Sequence, residues 1–455
     1  MSVPFTRRDL LVGGAKALFA GSCLSALRGM QTLPDAALAS GNVVDYRAIV
    51  CVFLAGGNDS HNLIAPRDNT GHAAYAAARG NLAVAQGDLL PLTPLSGGDT
   101  RSWGLHPAMA GLQALFESGQ LAVLGNIGTL LAPLTKAQYQ NNSVQRPAQL
   151  FSHSDQTTLW QLPSARDDVA HGWGGRMADL LLGLNNGSPL SPAISVAGST
   201  RLLRGQTVVP YSIGTNGSIS LSGTSGTRGT RRLAALRAIL ANGHGQVMER
   251  QVADLREQAI ELDGLIRTAL AAAPTLVTTF PSGSLASQLN IVARMISVRQ
   301  QLGAMRQVFF VRQGGYDTHD NQLTDQPNLL GQLSQSLAAF QAAMVEIGAD
   351  PLVTTCTMSE FGRTLSSNGR GSDHGWGGHQ LVLGGAVRGR RLYGTMPQLA
   401  LGGSDDVGAG RLLPTTSVEQ MAATLATWFG VAPGDLGALF PRLSQFASAD
   451  LGFMS

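Results

Sequence analysis

Three short patches rich in Asp and His, spread over some 320 residues, hold most of the chemistry available to this chain. They are Gly56-Gly57-Asn58-Asp59-Ser60-His61-Asn62, Gly314-Gly315-Tyr316-Asp317-Thr318-His319 and Ser372-Asp373-His374-Gly375-Trp376-Gly377-Gly378-His379. A mixture of Asp and His is what a hard or borderline divalent cation takes as ligands. Two such cations about 4 Å apart grip both the attacking and the leaving oxygen of a phosphate or sulfate ester. Arg363 stands near the third patch, and its planar fork suits an oxyanion.

The elements that must position these patches are legible from their flanks. The first two follow apolar, β-branched runs, 48–55 and 308–311. A third run, 352–358, leads into Ser359-Glu360-Phe361-Gly362-Arg363-Thr364 and then the third patch. Side chains gathered at the C-terminal ends of parallel strands are how an open α/β sheet builds a site. Further strands are expected at 121–126, 193–196 and 379–385. Helices are expected at 107–119, 152–162, 172–184, 285–301, 327–347 and 417–429. Strands alternating with helices of this length predict an α/β, doubly wound, mostly parallel sheet covered on both faces. Residues 205–230, rich in Gly, Ser and Thr, read as hairpins and a flexible loop, and 234–273 as two rather polar helices. Together they form a helical, Gly-rich insertion at about 200–285. Residues 75–86 read as surface structure.

The first 39 residues are a targeting segment. Thr6-Arg7-Arg8-Asp9-Leu10-Leu11 is a twin-arginine pattern, a Gly/Ala-rich apolar stretch follows, and Ala37-Leu38-Ala39 is an A-x-A cleavage signal. The stretch is broken by Gly13, Gly14, Lys16 and Gly21, which makes it a poor membrane span, and no later segment is apolar enough to span. The expectation is a periplasmic or secreted protein whose partner during export is the twin-arginine translocase, leaving one domain from residue 40 to 455. The net charge of +3 includes +2 from the targeting segment, so nothing points to nucleic acid or an anionic membrane surface. Cys51 and Cys356 fall inside expected core strands and read as buried free thiols; if the strands are neighbours, an oxidising compartment could join them.

The twin-arginine start, the early Gly-Gly-Asn-Asp, Ser152-His153-x-x-Gln156, Asp317-Thr318-His319-x-x-Gln322, and Ser359 to Thr364 followed by Asp373-His374 together resemble one family. It is the family numbered 1501 among domains of unknown function, grouped with the alkaline phosphatase and sulfatase superfamily. The resemblance covers nearly the whole chain after the targeting segment. It implies an alkaline phosphatase-like fold with one or two divalent metal ions at the strand ends. It makes Asp59, Asp317, His319, Asp373 and His374 metal ligands, with His379 as the late His. It implies a Ser nucleophile at a helix start, with Ser152 preferred and Ser154 in reserve. The middle pair here is Asp-Thr-His, where the superfamily spaces it Asp-x-x-x-His, and no Cys stands at the nucleophile position.

Each assignment has a plainer counterpart. Ser152 is equally an N-cap, His153 a ligand or a group behind one, and Glu360 either a partner of Arg363 or part of the site. Asn58, Asn62 and Gln322 read as groups orienting ligands, and His61, His72, His106, His171 and His244 as ordinary loop histidines. The favoured function is an exported metal-dependent hydrolase acting on a small anionic ester or polymer, through phosphate, phosphonate or sulfate ester cleavage. The alternative is a folded, metal-bearing scaffold in surface assembly or polymer metabolism.

Overall fold

Runs that are apolar at nearly every position become strands here because both faces of the sheet are covered. The structure is a computed structural model. It describes residues 46–455 except 96–98, 100, 163–170, 186–187, 219–220 and 243–244. The targeting segment lies outside the described residues. In chain order the strands are β1 (Arg47–Leu54), β2 (Ile64–Pro66), β3 (Leu90–Pro91), β4 (Trp103–Leu105), β5 (Leu121–Gly128), β6 (Ala193–Ser195) and β7 (Tyr211–Ser212). They continue with β8 (Arg306–Gln313), β9 (Val353–Met358), β10 (Arg363–Ser367), β11 (Ser372–His374), β12 (Gly378–Leu383), β13 (Leu392–Tyr393) and β14 (Thr416–Ser417).

The main sheet runs β13-β5-β12-β9-β1-β8-β6-β7, with β14 also on β5. Every pairing among β9, β1, β8, β6 and β7 is parallel, and only β12 runs antiparallel to its neighbours β9 and β5. Alternation along β1 sends Val50, Val52 and Leu54 to one face and Ile49, Cys51 and Phe53 to the other. The first face packs on helices Ser284–Ser297, through Leu289, Val292 and Ile296, and Gln322–Glu346, through Leu330, Leu333 and Leu337. The second packs on helices Trp173–Leu180 and Val418–Phe429. The sheet is thus doubly wound, as the alternation of elements predicts. Cys51 and Cys356 are register partners on β1 and β9, both buried and free, with sulfurs 3.9 Å apart.

Four elements differ from the sequence reading. Residues 69–79 form a helix whose Tyr75 and Arg79 are fully buried, so this stretch is not surface structure. Tyr75, Ala78 and Arg79 share one face, and the polar ends of Tyr75 and Arg79 find partners beneath it. The helix expected from 327 begins at Gln322 and carries Pro327 inside it. Side chains of its first turn, Gln322 and Gln326, bind Asp59, which anchors the start that the missing Pro N–H weakens. The Gly/Ser/Thr stretch 205–230 makes a strand, β7, and a small Gly214–Gly217 bridge, then turns helical at Gly226. Helices Gly226–Leu240 and Val247–Ala271 follow, the expected pair. Finally β10 and β11 form an antiparallel hairpin around Asn368-Gly369-Arg370-Gly371, a turn signal in plain sight. No helix among the described residues is long and apolar enough to cross a membrane.

Helix Val418–Phe429 starts with a capping box between Ser417 and Gln420. Burial raises the Glu419 carboxyl on its first turn to about 7, despite the nearby Arg442. A carboxyl raised on folding binds a proton more tightly in the folded state. Its contribution is complete below the unfolded value near 4.5 and is lost as pH rises toward 7. Glu419→Gln is therefore expected to flatten the fall in stability between those limits. The expected difference at pH 8 is on the order of 2 kcal/mol in favour of the variant, read from urea unfolding at a series of pH values. An unchanged slope would remove Glu419 from this role.

Candidate metal centre

The parallel strand ends deliver the pieces. β1 ends at Leu54 and turns through Gly56 and Gly57, both with positive φ. A Cβ at Gly56 would sit 2.2 Å from the Asp317 backbone nitrogen, so only glycine lets the first two patches touch. β8 leads to Asp317 and His319, β9 to Glu360, and the β10–β11 hairpin carries Asp373 and His374. The helix His153–Gln161 brings its first residue to the same place.

Three imidazoles there share one arrangement. His374 Nδ1 lies 2.7 Å from the Phe151 carbonyl oxygen. A carbonyl only accepts, so Nδ1 carries the proton and Nε2 is a bare lone pair. His319 Nδ1 lies 2.9 Å from Asp373 Oδ1, and His153 Nδ1 2.9 Å from Glu360 Oε1. All three Nε2 atoms then turn to one carboxylate. His319 Nε2 is 3.1 Å and His374 Nε2 3.3 Å from Asp317 Oδ1, and His153 Nε2 is 3.5 Å from Asp317 Oδ2. His319 Nε2 and His374 Nε2 are only 3.0 Å apart. Lone pairs this close, facing a carboxylate, require a shared proton or a cation between them. The ligand atoms of His153, Asp317 and His374 lie within 4.8 Å of one another, a reach one metal ion spans. Imidazoles whose far N–H is held by a carboxylate or carbonyl are the usual surroundings of a metal. The residues present thus fit a divalent cation.

Charge at the centre is biased the same way. Burial raises the Asp317 carboxyl, but the hydrogen bond and charge of Arg363, with His319 and His153 beside it, shift it downward on balance. Burial lowers His374, keeping its ring neutral. The Glu360 hydrogen bond raises His153, so without a cation this ring holds a proton more readily.

The sequence-derived candidates separate into two layers. Asp317, His319 and His374 come together at one point, while Asp373, expected as a ligand, meets His319 at Nδ1 and not the Nε2 atoms around Asp317. Asp59 does not join them. It is fully buried and paired with Arg79, and it also accepts from Gln322 and the His61 backbone. Burial alone would raise the Asp59 carboxyl, but Arg79, His61 and the Gln322 hydrogen bond together lower it. His379 is elsewhere too. Its Nδ1 accepts from the Asn126 backbone N–H at 3.1 Å, which puts its proton on Nε2 and leaves no lone pair for a metal. Its ring is buried against His61, whose two nitrogens lack hydrogen-bond partners; burial lowers His61 to about 4. Arg363 is fully buried, donating to Asp317 Oδ1, the Gly56 carbonyl and the Ser372 carbonyl. It holds the centre together and is not open to an oxyanion. Glu360 pairs with His153 and the Gly56 N–H, not with Arg363.

A cleft of about 800 Å³ opens beside the centre, with His153, Asp317 and Glu360 on its wall. Ser154 lines it, while Ser152 is not among its lining residues. The Ser152 side chain caps no backbone N–H. Both hydroxyls donate to Asp155 Oδ2. Two residues of this neighbourhood were not singled out from sequence. Asp155 had a signal, lying in a Ser-His-Ser-Asp helix start. Arg79 had none, since an Arg on this helix reads as an exposed stem, whereas it shares the buried face of Tyr75 and Ala78.

No curated protein matches the chain. Among solved structures, the PsFucS1 sulfatase from Pseudoalteromonas sp. matches with a TM-score of 0.34 and 9% identity, over 92% of this chain and 72% of that one. The lipoteichoic acid synthase LtaP from Listeria monocytogenes matches with a TM-score of 0.34 and 7% identity, over 87% and 76%. A mutant of the alkaline phosphatase PafA matches with a TM-score of 0.29 and 11% identity, over 71% and 64%. The family model described as "Protein of unknown function (DUF1501)" matches residues 46–438, and this chain belongs to that family.

Proposed function

We propose that this chain is an exported, metal-dependent hydrolase of phosphate, phosphonate or sulfate esters. One observation carries the reading: three neutral-capable imidazoles, each held at Nδ1, aim Nε2 at the Asp317 carboxylate. His153, His319, His374 and Asp317 would hold the ion, a nitrogen-rich set suited to zinc or another borderline cation. A cation bound there supplies positive charge to an ester oxygen and lowers the pKa of an oxygen nucleophile. The chain does the rest. Asp373 and Glu360 fix the rings, and Arg363 fixes the Asp317 carboxylate. Asp155 accepts from the Ser154 hydroxyl and can take its proton as that oxygen attacks. Ser154, on the cleft wall, replaces Ser152 as the nucleophile this geometry supports. The Arg7-Arg8 pair supports export to the periplasm or beyond through the twin-arginine translocase.

Elemental analysis of protein purified without added metal is expected to find one equivalent of a divalent ion. Asp317→Ala and His374→Ala should each retain less than about a tenth of it, since removing a ligand or its orienting partner costs 10–100-fold in affinity. Full occupancy in both variants would dismiss the site. Ser154→Ala should keep the metal and the fold while turnover of an ester panel falls on the order of a thousandfold or more. Ser152→Ala should keep most of its turnover. Metal bound with no ester cleaved by the wild type would favour the scaffold. Replacing Arg7 and Arg8 together by Lys should leave the precursor in the cytoplasm, and normal export of that variant would refute the route.

A further inference from the structure

The cleft beside the metal centre carries positive as well as negative side chains. The helix His153–Gln161 forms one wall, presenting His153 and Ser154 to the cleft and then Thr157 and Thr158 one turn further on. Five residues at 1.5 Å each place Thr158 about 7.5 Å along the axis from His153. There Arg201, on the loop after β6, donates from a guanidinium nitrogen to Thr158 Oγ1 at 3.1 Å. Arg312, the register partner of Phe53 on β8, lines the same cleft. Both arginines are exposed, and among the described residues neither pairs with a carboxylate. Asp317 and Glu360, on the wall of the same cleft, carry the opposite sign.

From this polarity we infer that the cleft takes an ester carrying two anionic groups. One sits at the metal centre, and the other is held by Arg201 and Arg312, which line the same cleft. A free guanidinium offers a forked set of N–H donors matched to a phosphate, sulfate or carboxylate. Thr157 and Thr200 line the same cleft. This subsite selects among esters by their far end, so Arg201 and Arg312 are specificity-determining residues rather than catalytic ones. The inference rests on the hydrolase reading for the placement of the first anion.

The test uses ligands that cannot be hydrolysed. Alkane bisphosphonates of graded length, and the matching monophosphonates, are titrated calorimetrically into the metal-loaded wild type, Arg201→Ala, Arg312→Ala and the double variant. At one preferred length the bisphosphonate should bind at least about tenfold tighter than the monophosphonate, about 1.4 kcal/mol. Each single variant should lose most of that advantage, and monophosphonate affinity, metal content and melting temperature should not change. Arg201→Lys should recover part of it. Equal affinity of mono- and bisphosphonates at every length, or an advantage that survives in the double variant, overturns the subsite. The hydrolase reading fails separately: a wild type that shows the bisphosphonate preference yet cleaves no ester keeps the subsite and loses the reaction.

Discussion

One buried cation ties the three chemistry-bearing patches together. The Arg363 guanidinium has no exposed side-chain surface. A charge so placed is tolerated only when it is paired and hydrogen-bonded. Arg363 meets that condition by drawing one partner from each patch: the Gly56 carbonyl, the Asp317 carboxylate and the Ser372 carbonyl. Everything at the centre follows from this contact. It orients Asp317, keeps that carboxylate ionised, and fixes the hairpin that carries His374. The arginine therefore shapes the site from behind, and its substitution by a neutral residue would leave Asp317 without its counter-charge.

A second buried pair stands one layer deeper. Asp59 and Arg79 are both fully buried, and breaking such a pair by removing one partner commonly costs about 3–5 kcal/mol. Around it, Asn62, Tyr75, Gln322 and Gln326 complete the hydrogen bonds. Gln322 also accepts from the Ser372 hydroxyl at 2.6 Å, so this layer joins the hairpin next to His374. A strand-end Asp that reads as a metal ligand thus holds the framework of the centre in place.

The strand ends were legible because the apolar runs of β1, β8 and β9 are short, and β1 and β8 lead into Gly-Gly. The doubly wound layout, the paired helices of 226–271 and the capped helix at Ser417 were legible for similar local reasons. What sequence did not disclose depends on partners far along the chain. Nothing near Asp59 announces Arg79, and nothing near His379 announces the Asn126 N–H that claims its lone pair. The Ser152-His153-Ser154 segment shows the same division. Its helix start was evident from composition, but which hydroxyl faces the cleft depends on rotation about the helix axis, which a single turn of sequence does not encode.

The topology of β1 also bears on timing. Its two neighbours in the sheet, β8 and β9, begin some 260 and 305 residues later in the chain. Pairings between segments so remote close large loops and form slowly. During synthesis, β1 waits without either partner until most of the polypeptide exists. Glu360 and the His374 hairpin lie beyond β9, so the metal centre is among the last things the chain can complete. A truncated chain ending before residue 353 would keep Asp59, His153 and Asp317 yet lack β9, Glu360 and the hairpin that carries His374. Assembly of the centre is accordingly a late event of folding for this topology.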